Sequence, residues 1–207
     1  MQSLLANGWF WLAVGYLLGS IPFGLLLTRA AGLGDLRSIG SGNIGTTNVL
    51  RTGSRKLAAA TLLLDVGKGA AAVLLARCLS PADAAPLAGI GAFLGHLYPV
   101  WLRFAGGKGV ATMLGIAAAY FWPAGLVFAL VWIGAALASR ISSVGGMSAA
   151  VAAPVAALLL GRTDAALLLG GMALLVLWKH RANIARLRAG TEPRMGSGKK
   201  DAEPTHD

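Results

Sequence analysis

The sequence predicts an all-α integral membrane protein: a polytopic bundle of about seven transmembrane helices, N-terminus outside and C-terminus cytoplasmic. Three observations predict it. Hydrophobic residues make up 56% of the 207 and charged residues only 13%, about half the share of a soluble domain. The charges leave long uncharged runs, where a spanning helix needs about 20 mostly apolar residues. And 18 Lys+Arg stand against 8 Asp+Glu, for a net charge of +10, distributed very unevenly along the chain.

The runs define the elements in order. Residues 1–28 hold no charge, which places the first span near 4–27. This stretch lacks a basic n-region and a small-x-small cleavage site, so it reads as a span and not as a secretory signal. Residues 57–76 are apolar except for Asp65 and Lys68, giving a span at 57–77, and the uncharged residues 84–102 form the third. The 31 uncharged residues 109–139 are too many for one span and few for two. Proline disfavours helix at the residue before it, so Trp122-Pro123 divides the run into two short or tilted helices, 109–121 and 123–139. A sixth span falls at 143–161. The 14 uncharged residues 165–178 are short for a span, but Lys179, His180 and Arg181 can carry the helix into the head-group layer by snorkelling, giving 164–187. No internal repeat is seen. Residues 1–190 read as one membrane-embedded domain and 191–207 as a disordered, polar cytoplasmic tail.

Charge supports this count. With the N-terminus outside, the inside segments carry fifteen Lys and Arg and the outside segments two, Arg77 and Arg162. That bias orients a membrane protein, so the excess of basic residues needs no nucleic acid. The single cysteine, Cys78, excludes an internal disulfide. No metal is expected, because no His, Cys or Asp cluster has ligand spacing.

The inside loops are unusual for connectors. Gly40-Ser41-Gly42-Asn43-Ile44-Gly45-Thr46-Thr47-Asn48, followed by Arg51, offers backbone amides, side-chain donors and a planar cation to an anion; a flexible loop with helix caps is the plain alternative. Gly106-Gly107-Lys108-Gly109 opens a hydrophobic helix and resembles a phosphate cradle, though not a Walker A box. His96, in Gly95-His96-Leu97-Tyr98-Pro99, is either packed or functional. Asp65 and Lys68, at i and i+3, share a helix face; such charges pair in a membrane or line a polar cavity, as a structural ion pair or as part of a site. Ser142-Ser143 form the next inside turn. His180 and Asn183 share a face at the last helix's inner end. Together these point to a cytoplasm-facing pocket for a small phosphate-bearing molecule.

The motifs Gly19-Ser20-Ile21-Pro22-Phe23-Gly24, Ser41 to Arg51, Asp65-Val66-Gly67-Lys68-Gly69, Gly95 to Pro99, Gly106 to Thr112 and His180-x-x-Asn183-Ile184-x-Arg186-Leu187-x-x-Gly190-Thr191-Glu192 resemble those of the acyl-phosphate-dependent bacterial glycerol-3-phosphate acyltransferases, the PlsY family. Thr46, where alanine is frequent, and Ile141, often aromatic, are mild departures. The His-x-x-x-x-Asp motif of the soluble-donor acyltransferases is absent: the fifth residue after His96 is Trp101 and after His180 is Ala185.

The resemblance implies an inner-membrane enzyme, with its site facing the cytoplasm. It would move a fatty acyl group from acyl phosphate to the 1-hydroxyl of sn-glycerol 3-phosphate, yielding 1-acyl-glycerol 3-phosphate (lysophosphatidic acid) and phosphate, the first step of phospholipid synthesis. It also implies a functional link to PlsX, which makes the donor. It casts Ser41, Arg51, Lys108 and His180 as catalytic. It casts Gly42, Asn43, Gly45, Asn48, Asp65, Lys68, His96, Gly106, Gly107, Gly109, Ser142, Ser143 and Asn183 as substrate-binding, and Glu192 as fixing the last helix by pairing with an arginine. The proton acceptor stays open among His180, His96 and a substrate phosphate. No cofactor is needed, and a monomer is expected. A small transporter of phosphorylated metabolites would use a similar pocket but needs a second access route from outside.

Overall fold

The computed structural model describes residues 2–195 and is all-α. The expected tail at 191–207 lies outside the described residues from 196 onward; residues 191–195 have a defined place, given below. A short α1 (Gln2–Leu5) leads into α2 (Gly8–Gly19), whose first turn is capped by Asn7 Oδ1 accepting from Trp9 N at 2.9 Å. Pro22 lacks an N–H and restricts Ile21. The helix therefore breaks there and resumes as α3 (Phe23–Ala30), the two together forming an apolar unit of 23 residues. A loop and the short α4 (Thr46–Leu50) follow, then α5 (Arg55–Leu79), started by Ser54 Oγ accepting from Leu57 N.

Next come α6 (Ala85–Leu97) and α7 (Val110–Tyr120). Phe121 is extended, and α8 (Trp122–Ser139) starts directly after it with Pro123 in its first turn, where the missing N–H costs nothing. The chain thus divides at Trp122-Pro123, where the sequence places the break. Arg140, at φ 59°, stops α8 in the left-handed region. Then follow α9 (Ser142–Leu159), α10 (Thr163–Lys179) and α11 (Arg181–Arg188), the last turned by 57° from α10.

Among the described residues, five helical segments are long and apolar enough to cross a membrane, or six if the bent α10–α11 pair is one span. The remaining segment of the seven expected from sequence is α7, with only 11 residues, about 16 Å of helix.

Small residues set the packing. Cβ atoms on Gly15 and Gly19 would run into the carbonyl oxygens of Ala88 and Ala92, and Cβ atoms on Gly91 and Gly95 into those of Leu12 and Tyr16. The α2 and α6 backbones are therefore in contact, as small residues permit in membranes. Gly69 against Thr112 and Gly115 against Val66 join α5 to α7 in the same way. Phe93, Phe128, Met113, Ile116 and Leu169 fill the core, while Leu63, Leu137, Leu159 and Leu167 point outward.

One pole of the bundle is stapled by polar contacts. Arg77, near the end of α5, donates to Ala119 O and Tyr120 O, both at 2.7 Å, and so caps the end of α7. Tyr120 OH donates to Asp164 at the start of α10, at 2.9 Å, and Arg162 pairs with the same carboxylate at 2.8 Å. The ends of α5, α7 and the start of α10 are therefore level. Because α7 is short, its other end begins inside the bundle, where its first turn meets Gly69 of α5.

Candidate active site

The opposite pole gathers the polar loops. The first is held by its own side chains. Asp35 accepts from Arg29 at 2.8 Å and from Arg37 at 2.6 Å, and these donors, Arg37 first, hold its carboxyl well below the usual carboxylate range. Asn48 is buried and fully used: its Nδ2 donates to Leu36 O (2.9 Å) and Ile39 O (3.0 Å), and its Oδ1 accepts from Ser41 N at 3.2 Å. It pins the loop from within, leaving no donor for a ligand. Asn43 Oδ1 accepts from Gly45 N at 2.9 Å. Gly40 (φ 54°) and Gly42 (φ 66°) adopt turns that favour glycine, and a Cβ on Gly40 would collide with the Arg51 guanidinium lying over it. Ser41, Gly42 and Arg51 remain exposed.

The second loop descends from α6 to the sunken start of α7. Gly107 N donates to His96 O at 3.0 Å, so this amide is engaged by the protein. Cβ atoms on Gly106 and Gly107 would overlap His96, and one on Gly109 (φ 85°) would overlap Phe93. The glycines thus let the loop lie flat on α6. The first turn of α7 has no side-chain cap; neither has that of α9. Such ends present free amides and positive dipole ends to an anion. Lys108 Nζ donates to Asn183 Oδ1 at 2.5 Å. Burial first, and then the charges of Arg186 and Arg51 against the opposing effect of Glu192, lower the Lys108 ammonium to about 8.

The last element completes a polar chain. Glu192 Oε1 accepts from Ser143 Oγ at 2.6 Å and Asn183 Nδ2 at 2.5 Å, and its Oε2 accepts from Arg186 Nε at 2.7 Å. A carboxylate can only accept, so Asn183 must turn its NH2 toward Glu192 and its oxygen toward Lys108. Partial burial works to raise Glu192, but the donors Ser143, Asn183 and Arg186 outweigh it and hold the carboxyl low. Thr191 N bonds to Arg186 O and Met195 N to Arg140 O. Residues 191–195 therefore fold back over the pole, beyond the boundary expected at 190, because Glu192 draws them in. Ser142 Oγ lies 2.8 Å from Thr47 Oγ1, joining α4 to the start of α9. His180 is buried at the α10–α11 bend, with Nδ1 2.8 Å from Val176 O. A carbonyl cannot donate, so in the neutral ring Nδ1 holds the proton and Nε2, on the Gly146 side, is the free acceptor.

Of the side chains expected at the site, the structure brings together Arg51, Lys108, Ser142, Ser143, His180, Asn183 and Glu192, with Ser41 and Asn43 on the adjoining loop. Asp65, Lys68 and His96, expected to touch substrate, lie inside the bundle with at most 5% of each residue exposed, because their polar groups face one another and the backbone. Thr47 and Arg186 were not singled out as site residues; Thr47 sits in the same polar run, and Arg186 precedes Glu192 by six. A recess of about 190 Å³ lies beside Ile141, Leu187 and Glu192. The larger hollow, about 710 Å³, is at the far pole between Gln2 and Pro81 and has no charged lining. Among the described residues no three His, Cys, Asp or Glu could hold a metal.

The half-buried Lys108, the exposed Arg51, two uncapped helix starts and a fixed Asn–Glu pair line one pole of an apolar bundle, a set of groups suited to an anion. Known proteins share both the sequence and the shape. The family model for glycerol-3-phosphate acyltransferase matches residues 9–190. The glycerol-3-phosphate acyltransferase of Ruegeria sp. (strain TM1040) is 66% identical over 90% of this chain and 93% of its own. That of Roseobacter denitrificans is 57% identical over 96% of this chain and 100% of its own. A crystal structure of PlsY (YgiH), an integral membrane glycerol 3-phosphate acyltransferase, in its glycerol 3-phosphate form superposes with a TM-score of 0.86 at 36% identity, covering 91% of this chain and 96% of that one. Its lysophosphatidic acid form gives 0.83 at 34% identity, over 91% and 95%. With a match from α2 to the end of α11, this chain belongs to the glycerol-3-phosphate acyltransferase family.

Proposed function

We propose that this multi-pass inner-membrane enzyme transfers a fatty acyl group from acyl phosphate to the 1-hydroxyl of sn-glycerol 3-phosphate, releasing lysophosphatidic acid and inorganic phosphate. The observation that carries the reading is the convergence of Arg51 and Lys108 with the free helix starts of α7 and α9. Both reactants carry phosphate, and this set supplies the charge and donors to hold two. Ser41, Gly42, Asn43, Gly106, Gly109, Ser142 and Ser143 extend the donor set. In the reaction the hydroxyl oxygen forms a bond to the acyl carbon and the bond from that carbon to the phosphate oxygen breaks. The donor is already activated, so positioning and charge stabilisation suffice without an acyl-enzyme. The proton goes to His180 Nε2 or to a phosphate oxygen. A changed pH–rate profile in His180→Gln assigns it to the imidazole, an unchanged one to the phosphate.

In this reading α7 counts as the fourth of seven passes, the N-terminus is outside, and the site opens to the cytoplasm. Residues 1–190 are the catalytic domain and 191–207 a polar cytoplasmic tail whose first residues pack back on the site through Glu192, the enzyme is a monomer, and its donor comes from PlsX. The decisive experiment gives purified, detergent-solubilised protein glycerol 3-phosphate with acyl phosphate, acyl-CoA and acyl carrier protein as competing donors. Turnover of acyl phosphate is expected. Use of the thioesters alone refutes the donor, and no turnover at all favours a transporter.

A further inference from the structure

The membrane interior holds a group of charges that the site does not use. Lys68 Nζ lies 2.7 Å from Asp65 Oδ1, with both side chains at most 3% exposed. Lys68 also donates to Ile21 O at 2.9 Å, the carbonyl beside the Pro22 break, and sits over the Phe23 ring. His96 Nδ1 is 3.8 Å from Asp65 Oδ1, and it is buried without a hydrogen bond. On its other side His96 meets the glycine loop: its carbonyl holds Gly107 N, and its Nε2 lies where a Gly107 Cβ would be. One residue later comes Lys108. A continuous polar line thus runs from the break in the first span, through α5 and α6, to the back of the phosphate loop.

A buried ion pair is weak as a stabiliser, since apolar residues of similar volume often serve as well or better. We propose that Asp65, Lys68 and His96 are positioning residues, which set the height and orientation of the Gly106–Lys108 loop through the His96 ring. This rests on the reading that the loop holds substrate phosphate.

The test compares wild type, Asp65→Asn, Lys68→Met, the charge-free double variant Asp65→Leu/Lys68→Met, and His96→Gln, all purified in detergent. Three quantities are measured: thermal unfolding, kcat and KM for glycerol 3-phosphate and for acyl phosphate, and hydrogen exchange at the Gly107 amide. Each single charge variant is expected to unfold at lower temperature, having left a buried charge or polar group without its partner. The double variant is expected to regain wild-type unfolding temperature, yet to keep a KM raised tenfold or more for at least one phosphate substrate and faster Gly107 exchange. A folded double variant with wild-type KM and exchange would overturn the proposal, as would a lowered kcat with KM unchanged. If the double variant does not fold, His96→Gln decides: it leaves the ion pair intact, and its KM must rise likewise. Wild-type protein that turns over neither substrate refutes the functional reading instead, while the exchange comparison still reports on the loop.

Discussion

At the residue scale, the site is governed by which groups can only accept and which can only donate. Lys108 is the clearest case. Below about pH 8 it is an ammonium and above it is neutral, so kcat/KM for the phosphate substrates should fall by about tenfold per pH unit beyond that point. Lys108→Arg, whose guanidinium keeps its charge, should abolish this limb at a lower overall rate. Lys108→Ala should lose about 10²–10³-fold, the usual cost of a charge-stabilising donor. Glu192→Gln lets the Asn183 amide flip, since a glutamine oxygen or NH2 can meet either end. Steady-state kinetics should show about a 10- to 100-fold loss in kcat/KM, the worth of a charged hydrogen bond. Sequence alone names these side chains but not their orientation. Gly107 and Asn48 both read as donors for a ligand, and each proves to be engaged by the protein. A list of donors does not say what they face.

At the element scale, the helices are specified by small residues as much as by apolar ones. Gly15→Ala would press a methyl into the Ala88 carbonyl, and overpacking of this kind costs about 1–3 kcal/mol. Its melting temperature should drop, whereas Gly134→Ala, with open space at its Cβ, should be neutral or slightly stabilising. The apolar segments were legible because charge marks their ends, and the break at Trp122-Pro123 because proline does. The length of α7 was not. Its uncharged run continues into α8, and only the extended Phe121 and the Arg77 cap show where the helix stops. The burial of Asp65, Lys68 and His96 was equally hidden, since i, i+3 spacing gives a shared face and not its depth.

At the scale of the whole molecule, the bundle has a stapled pole and an open one, and its sole cysteine marks the first. Cys78 is exposed near the end of α5, close to Arg77. With the N-terminus outside, a membrane-impermeant maleimide added to spheroplasts should label Cys78 directly. A cysteine placed at Arg188 in a Cys78→Ser background should react only after permeabilisation. The reverse pattern would invert the topology. The level ends at the stapled pole have a further consequence. An 11-residue helix reaches only about half way through a hydrocarbon core of about 30 Å, so the amides at its start lie well below the surface of the bilayer. A fatty donor could keep its tail dissolved among neighbouring lipids while its head reaches those amides. Glycerol phosphate is then the reactant that must travel, sinking from water to meet a partner already at home.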